Sequence, residues 1–77
     1  MPIRFFYSAT RRQDGDGHHL DLEVPNAFLP GVPFTAHSWH PTVQSAEDAL
    51  VEAIALCRAV LTDLHGSNFT LEPATEA

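Results

Sequence analysis

The sequence predicts an α+β domain, an antiparallel three- to four-stranded sheet with one helix packed on one face, in the order β-β-β-α-β. Three observations lead there. Ser45 to His65 repeats its apolar residues at helical period. Ile3 to Thr10 and His18 to Val24 are built from β-favouring residues, and the second alternates apolar and polar strictly. Between them, Arg11 to Gly17 (RRQDGDG) holds two Asp-Gly pairs, the strongest short signal for a hairpin.

In the first strand, Ile3, Phe5 and Tyr7 share one face and Arg4, Phe6 and Ser8 the other. An aromatic on each side predicts a central strand, or one covered on both faces. The return strand turns Leu20, Leu22 and Val24 inward and His19, Asp21 and Glu23 outward. Pro25 to Pro33 (PNAFLPGVP) is expected to be a connection, because proline cannot continue a central ladder. Its Phe28 and Leu29 are expected to fold back onto the core or cap the sheet edge. Phe34 to His40 is expected as a third strand, with Phe34 and Ala36 on one face and His37 and Trp39 on the other.

The helix is the clearest element. At about 100° per residue, Leu50, Ile54, Cys57, Leu61 and Leu64 fall on one line, flanked by Ala46, Ala53 and Val60. Asp48, Glu52, Ala59 and Asp63 fall opposite. Ser45 is expected as N-cap, with Glu47 and Asp48 in the first turn where the helix dipole favours negative charge. Gly66 is placed to close the helix in a left-handed conformation. Asn68 to Glu72 then reads as a short fourth strand. Residues 1–72 are expected to be a single α+β domain and residues 73–77 a disordered tail.

Composition narrows the function. At 77 residues there is room for one modest core, helped by oligomerisation; a homodimer is expected. The single cysteine, Cys57, excludes an intrachain disulfide and fits a reducing compartment. The N-terminal MPIRFF lacks the pattern of a signal peptide, and no apolar run is long enough to span a bilayer. The expected location is cytoplasmic. Four arginines, no lysine and ten acidic residues give a formal charge of −6. That balance opposes direct contact with a nucleic-acid backbone, which needs clustered cations; it is compatible with a basic protein partner, and equally with an acidic surface that simply keeps a small protein soluble.

Chemistry-bearing motifs are few. The sequence has neither a GxSxG elbow nor a phosphate-cradling glycine loop, since Gly15 and Gly17 belong to a hairpin. Cys57 lies in the apolar stripe, where a thiol without neighbouring cations keeps little reactivity. No enzyme activity and no cofactor are expected. Five histidines raise the question of metal; His19 and His37 can approach across a ladder with Asp21 nearby, and imidazole with carboxylate is a zinc-binding set. Their spacing matches no metal motif, so the expectation is no metal, with His19 and His37 as the nearest candidates. Asp21 and Glu23 lie about 7 Å apart on one strand face. Together with Asp48, Glu52 and Asp63 on the helix they form the expected partner-binding set, with Trp39 as its aromatic member. Trp39, Phe6 and Phe28 are expected either to make an exposed apolar patch or to complete the small core.

The run DGHHLDLEVPNAFLPG, followed by a third strand and SAEDALVEAIALCRAVL, resembles the HicB-like antitoxin domain. Asp16-Gly17, Pro25, Leu29-Pro30-Gly31 and Ser45-Ala46-Glu47-Asp48-Ala49 are the matching positions, and the resemblance covers roughly residues 3–66. It departs in the length of the Pro25–Pro30 turn, in Trp39-His40-Pro41, and in having no C-terminal DNA-binding element. The resemblance implies a non-catalytic inhibitor that masks a basic RNA-cleaving toxin by stoichiometric binding. A phage-encoded inhibitor of a host nuclease complex, of anti-CRISPR type, is the alternative, and a histidine-based metal-binding protein the third.

Overall fold

A computed structural model describes residues 2–74. The chain forms β1 (Ile3–Asp14), β2 (Gly17–Leu29), β3 (Val32–His40), α1 (Val43–His65) and β4 (Phe69–Pro73). They make one four-stranded sheet, ordered β3-β2-β1-β4, with α1 on one face. Class, element order and single helix are as expected. The sheet is mixed rather than purely antiparallel, because β4 pairs parallel to β1, with Ile3 opposite Phe69 and Phe5 opposite Leu71. Chain reversal explains this. Two hairpins leave β3 running in the direction of β1, and a 23-residue helix, about 34 Å long at 1.5 Å per residue, carries the chain back across the sheet. The next strand must then run the same way as β3.

The first hairpin is tighter than the DGDG signal suggests. The ladder continues to Asp14 opposite Gly17, leaving a two-residue loop of Gly15 and Asp16. Gly15 takes φ 64°, and a glycine with positive φ at the first loop position is what a type II′ turn demands.

The expected loop Pro25–Pro33 is a second hairpin instead. β2 runs through Pro25 to Leu29, and Leu29 pairs with Val32 around a turn at Pro30-Gly31. Proline is tolerated because the ladder is interrupted there. Pairing with β1 stops at Ser8 opposite Glu23, and pairing with β3 is irregular between Val24 and Leu29. Asn26 at φ 62° turns the chain within this bulge, and its Oδ1 accepts the Gly31 N–H at 2.7 Å. Both apolar residues expected to fold back are exposed, Leu29 more than Phe28, whose ring still lies 6.2 Å from that of Phe34. The residue that reaches the core is Ala27.

The N-cap of α1 lies three residues before the expected one. Thr42 is the N-cap: its Oγ1 accepts the Ser45 N–H at 3.0 Å, and the Ser45 Oγ accepts the Thr42 N–H at 3.2 Å. Ser45 is thus the third helical residue of a reciprocal capping box. Glu47 and Asp48 fall beyond the first turn, which holds no acidic residue. The helix closes at Gly66 as expected, its N–H donating to the Thr62 carbonyl at 2.9 Å, but with φ 72° and ψ −161° the glycine is not in the left-handed helical conformation expected of it; it takes an extended positive-φ conformation open essentially to glycine alone.

The core lies between helix and sheet. Phe5, Leu22, Val24, Ala27, Phe34 and Leu71 from the sheet meet Cys57 and Leu61, with Leu50, Ala53, Ile54 and Val60 half-buried around them. Leu64, on the same predicted line, is exposed. His65 closes that end instead, donating from Nε2 to the Ala27 carbonyl at 3.0 Å with its ring 5.2 Å from that of Phe5. Burial pushes the Cys57 thiol above its ordinary pKa, against the opposing charge of Arg58, as expected of a structural cysteine. Strand β4 includes Pro73, and the Ala74 N–H donates to the Tyr7 carbonyl at 2.8 Å, so the expected tail does not start at 73. Its remaining part lies outside the described residues. No helix among these residues is long and apolar enough to cross a membrane.

Candidate functional site

The face of the sheet away from α1 collects Arg4, Phe6, Ser8, Thr10 and Arg12 from β1, His19, Asp21 and Glu23 from β2, and Thr35, His37 and Trp39 from β3. Strand alternation and register place them there: Thr10 and His37 stand directly opposite Asp21 on its two sides, and Trp39 opposite His19. This brings the two histidine candidates together. Asp21 Oδ1 accepts from His19 Nε2 at 3.0 Å and from His37 Nδ1 at 2.5 Å, and the two rings lie 6.5 Å apart. Arg12 Nε stands 3.9 Å from the other oxygen, Oδ2. The His37 hydrogen bond is the main reason the Asp21 carboxyl lies below its ordinary pKa; partial desolvation pushes the other way, and His19 adds to the lowering. The carboxylate is therefore ionised and engaged on both oxygens.

Trp39 does something other than wait for a partner. Its Nε1–H donates to the Asp14 carbonyl at 3.1 Å, and its ring lies across Gly17 so closely that a Cβ there would stand 2.2 Å from Cζ2. The indole caps the tip of the first hairpin, with half its surface still exposed. Phe6 and Phe28 are at the far end of the sheet, so the expected aromatic patch does not form as one surface. These two line a 390 Å³ crevice with Ile3, Phe5, Leu29 and His65, opened where β1 and β2 part beyond Ser8 and Glu23. The crevice went unforeseen because it follows from the bulge at Asn26, and only the Pro-Asn pair hints at that.

The expected acidic set divides between two surfaces. Asp21 and Glu23 belong to the open sheet face; Asp48, Glu52 and Asp63 stand on the outer side of α1, with the sheet between the two groups. Three arginines are occupied: Arg4 on Glu72 at 3.2 Å, Arg11 on Glu47, and Arg12 beside Asp21. Asp48 receives only the side-chain amide of Gln44, at 2.9 Å, and neither Glu52 nor Asp63 has an ion-pair partner among the described residues. Val51 and Leu56 stand exposed among these helix acids. A search of the known protein families, of curated proteins and of solved structures finds nothing that matches this chain.

Proposed function

We propose that this domain is a small non-catalytic inhibitory protein of antitoxin type, which masks a basic nucleic-acid-handling partner by binding it one to one. One observation carries the reading: the outer side of α1 presents Asp48, Glu52 and Asp63 without ion-pair partners among the described residues, around exposed Val51 and Leu56. Apolar side chains amid carboxylates suit a basic surface with shallow apolar hollows, where charge selects and speeds the encounter and buried carbon holds it. The net charge of −6 and the resemblance to HicB-like antitoxin domains support the same reading. Asp21 and Trp39 take a different part: each is engaged within the domain. A homodimer belongs to this reading, and a monomer mass by light scattering would remove it.

The test is capture of partners from the source cell on the immobilised domain, beside an Asp48→Lys/Glu52→Lys/Asp63→Lys variant. A basic nuclease or other nucleic-acid-handling protein should be retained by the parent, released as salt screens the charges, and lost with the variant. Retention of no such protein, or equal retention by both, overturns the proposal.

A further inference from the structure

On the open face of the sheet, away from the helix surface just described, two imidazoles converge on one carboxylate oxygen. The ligand atoms of His19, Asp21 and His37 all lie within 4.8 Å of one another. They are carried on paired backbone: at Asp21 β2 is in register with Thr10 of β1 on one side and His37 of β3 on the other, and strands hold side chains more rigidly than loops do. His19 and Asp21 are two residues apart on one face of β2, and His37 comes directly across from Asp21 on β3. Arg12 approaches Oδ2 and leaves Oδ1 toward the imidazoles, the arrangement for a carboxylate that binds through one oxygen.

We propose that His19, Asp21 and His37 form a binding site for one divalent transition-metal ion of the zinc class, with an open position facing solvent. The donor set is two imidazole nitrogens and one carboxylate oxygen, which zinc and its borderline neighbours accept and which calcium and magnesium, as oxygen-seeking ions, do not favour. Metal–ligand bonds of about 2.0–2.1 Å put tetrahedral donors roughly 3.3 Å apart, so small side-chain rotations bring the present set into range. The His37 side chain is 61 % exposed, which keeps the fourth position open to water or to a group on another molecule. In the ion's presence the two N–H···O bonds to Asp21 are exchanged for three metal bonds: each imidazole ligates through the nitrogen that now faces the carboxylate, and the proton on that nitrogen moves to the other ring nitrogen, or to solvent if the ring was cationic.

The experiment is calorimetric titration of the untagged full chain, previously treated with chelator, with Zn²⁺. The expected result is one ion per chain. His37→Ala and His19→Ala should each weaken binding by more than about tenfold, since loss of a ligand costs at least as much as loss of an outer partner. His40→Ala, which alters a histidine on the helix-facing side, should leave the affinity unchanged. Substitution at exposed His37 spares the core, so a folded variant is obtained for comparison. No saturable binding by the parent overturns the proposal. So does an affinity in the His19→Ala or His37→Ala variant equal to the parent's, or a loss in His40→Ala as large as in His37→Ala.

Discussion

Leu22 and Asp21 are neighbours in the chain and opposites in the molecule. Leu22 points into the interface between sheet and helix, where it is 1 % exposed among Val24, Phe34, Cys57 and Leu61. Asp21 points to the face that α1 does not cover and is held by His19, His37 and Arg12. One side of the sheet is organised by exclusion of water, the other by directed polar contacts and one indole. A substitution on the first side is felt as stability and one on the second as chemistry. Apolar burial is non-directional and additive in area, so loss on the helix side should be large and independent of pH. Polar convergence on the open side should matter little to folding and much to what binds there.

Leu22→Ala is the most severe test. Truncation removes buried carbon and leaves a cavity in a core too small to refill it, with an expected loss of about 2–5 kcal/mol. Urea denaturation followed by circular dichroism measures it. A loss below about 1 kcal/mol would mean that the helix side is not close-packed and that the contrast between the faces is false.

Gly17→Ala probes the open side where it is most structural. The added methyl would meet the Trp39 ring and the His40 carbonyl, the latter at 2.5 Å and part of the backbone. An overpacking cost of about 1–3 kcal/mol is expected, with a red shift in tryptophan emission as the indole leaves the hairpin tip. Unchanged emission together with unchanged stability would show that Trp39 does not cap Gly17. Below this stands Thr42→Ala, with an expected cost of about 1 kcal/mol because the Ser45 N–H loses its acceptor. Ser45→Ala should cost less, since it removes only the returning half of the capping box; the reverse order would restore Ser45 as the cap.

The same contrast explains what could be read from the sequence. The helix side follows from periodicity alone: Leu20, Leu22 and Val24 at every second position and Cys57 and Leu61 four apart admit one packing, and water exclusion enforces it. Convergence of His19, Asp21 and His37 was legible as a possibility once β2 and β3 were set side by side, but its distances depend on a register that the Asn26 bulge determines. That bulge, and the second hairpin with it, was hidden because Pro25 reads as a ladder breaker wherever one assumes that pairing continues. Thr42 and Ser45 are both good caps by residue type; the choice between them rests on where Pro41 ends β3, which is a matter of backbone direction. The parallel pairing of β4 comes from the direction in which α1 returns the chain, a property of the assembled sheet. The division of the acidic set follows from the same periodicities: Asp21 and Glu23 alternate away from the core and Asp48, Glu52 and Asp63 lie opposite the apolar stripe, so packing helix on sheet puts the two groups on opposite surfaces.

The smallest expected effect, Asp21→Asn, sharpens the contrast furthest because it depends on pH. The Asp21 carboxyl is held below its ordinary value of 3.8, chiefly by the hydrogen bond from His37. A carboxyl whose pKa is lower folded than unfolded releases its proton more readily in the native state. The unfolded chain therefore binds more protons through this acid range, and stability rises with pH across it. The contribution is complete above the ordinary carboxylate value and is lost as pH falls through the lower, folded one. Asp21→Asn should accordingly be less stable than the parent at neutral pH, and the two stability curves should converge below about pH 4. Leu22→Ala, in contrast, should run parallel to the parent throughout. Urea midpoints collected between neutral pH and pH 2 separate these shapes. If the Asp21→Asn curve also stays parallel, the polar contacts on the open face add nothing to folding, and the hold of His37 on Asp21 is then an orientation of ligands rather than a stabilising bond.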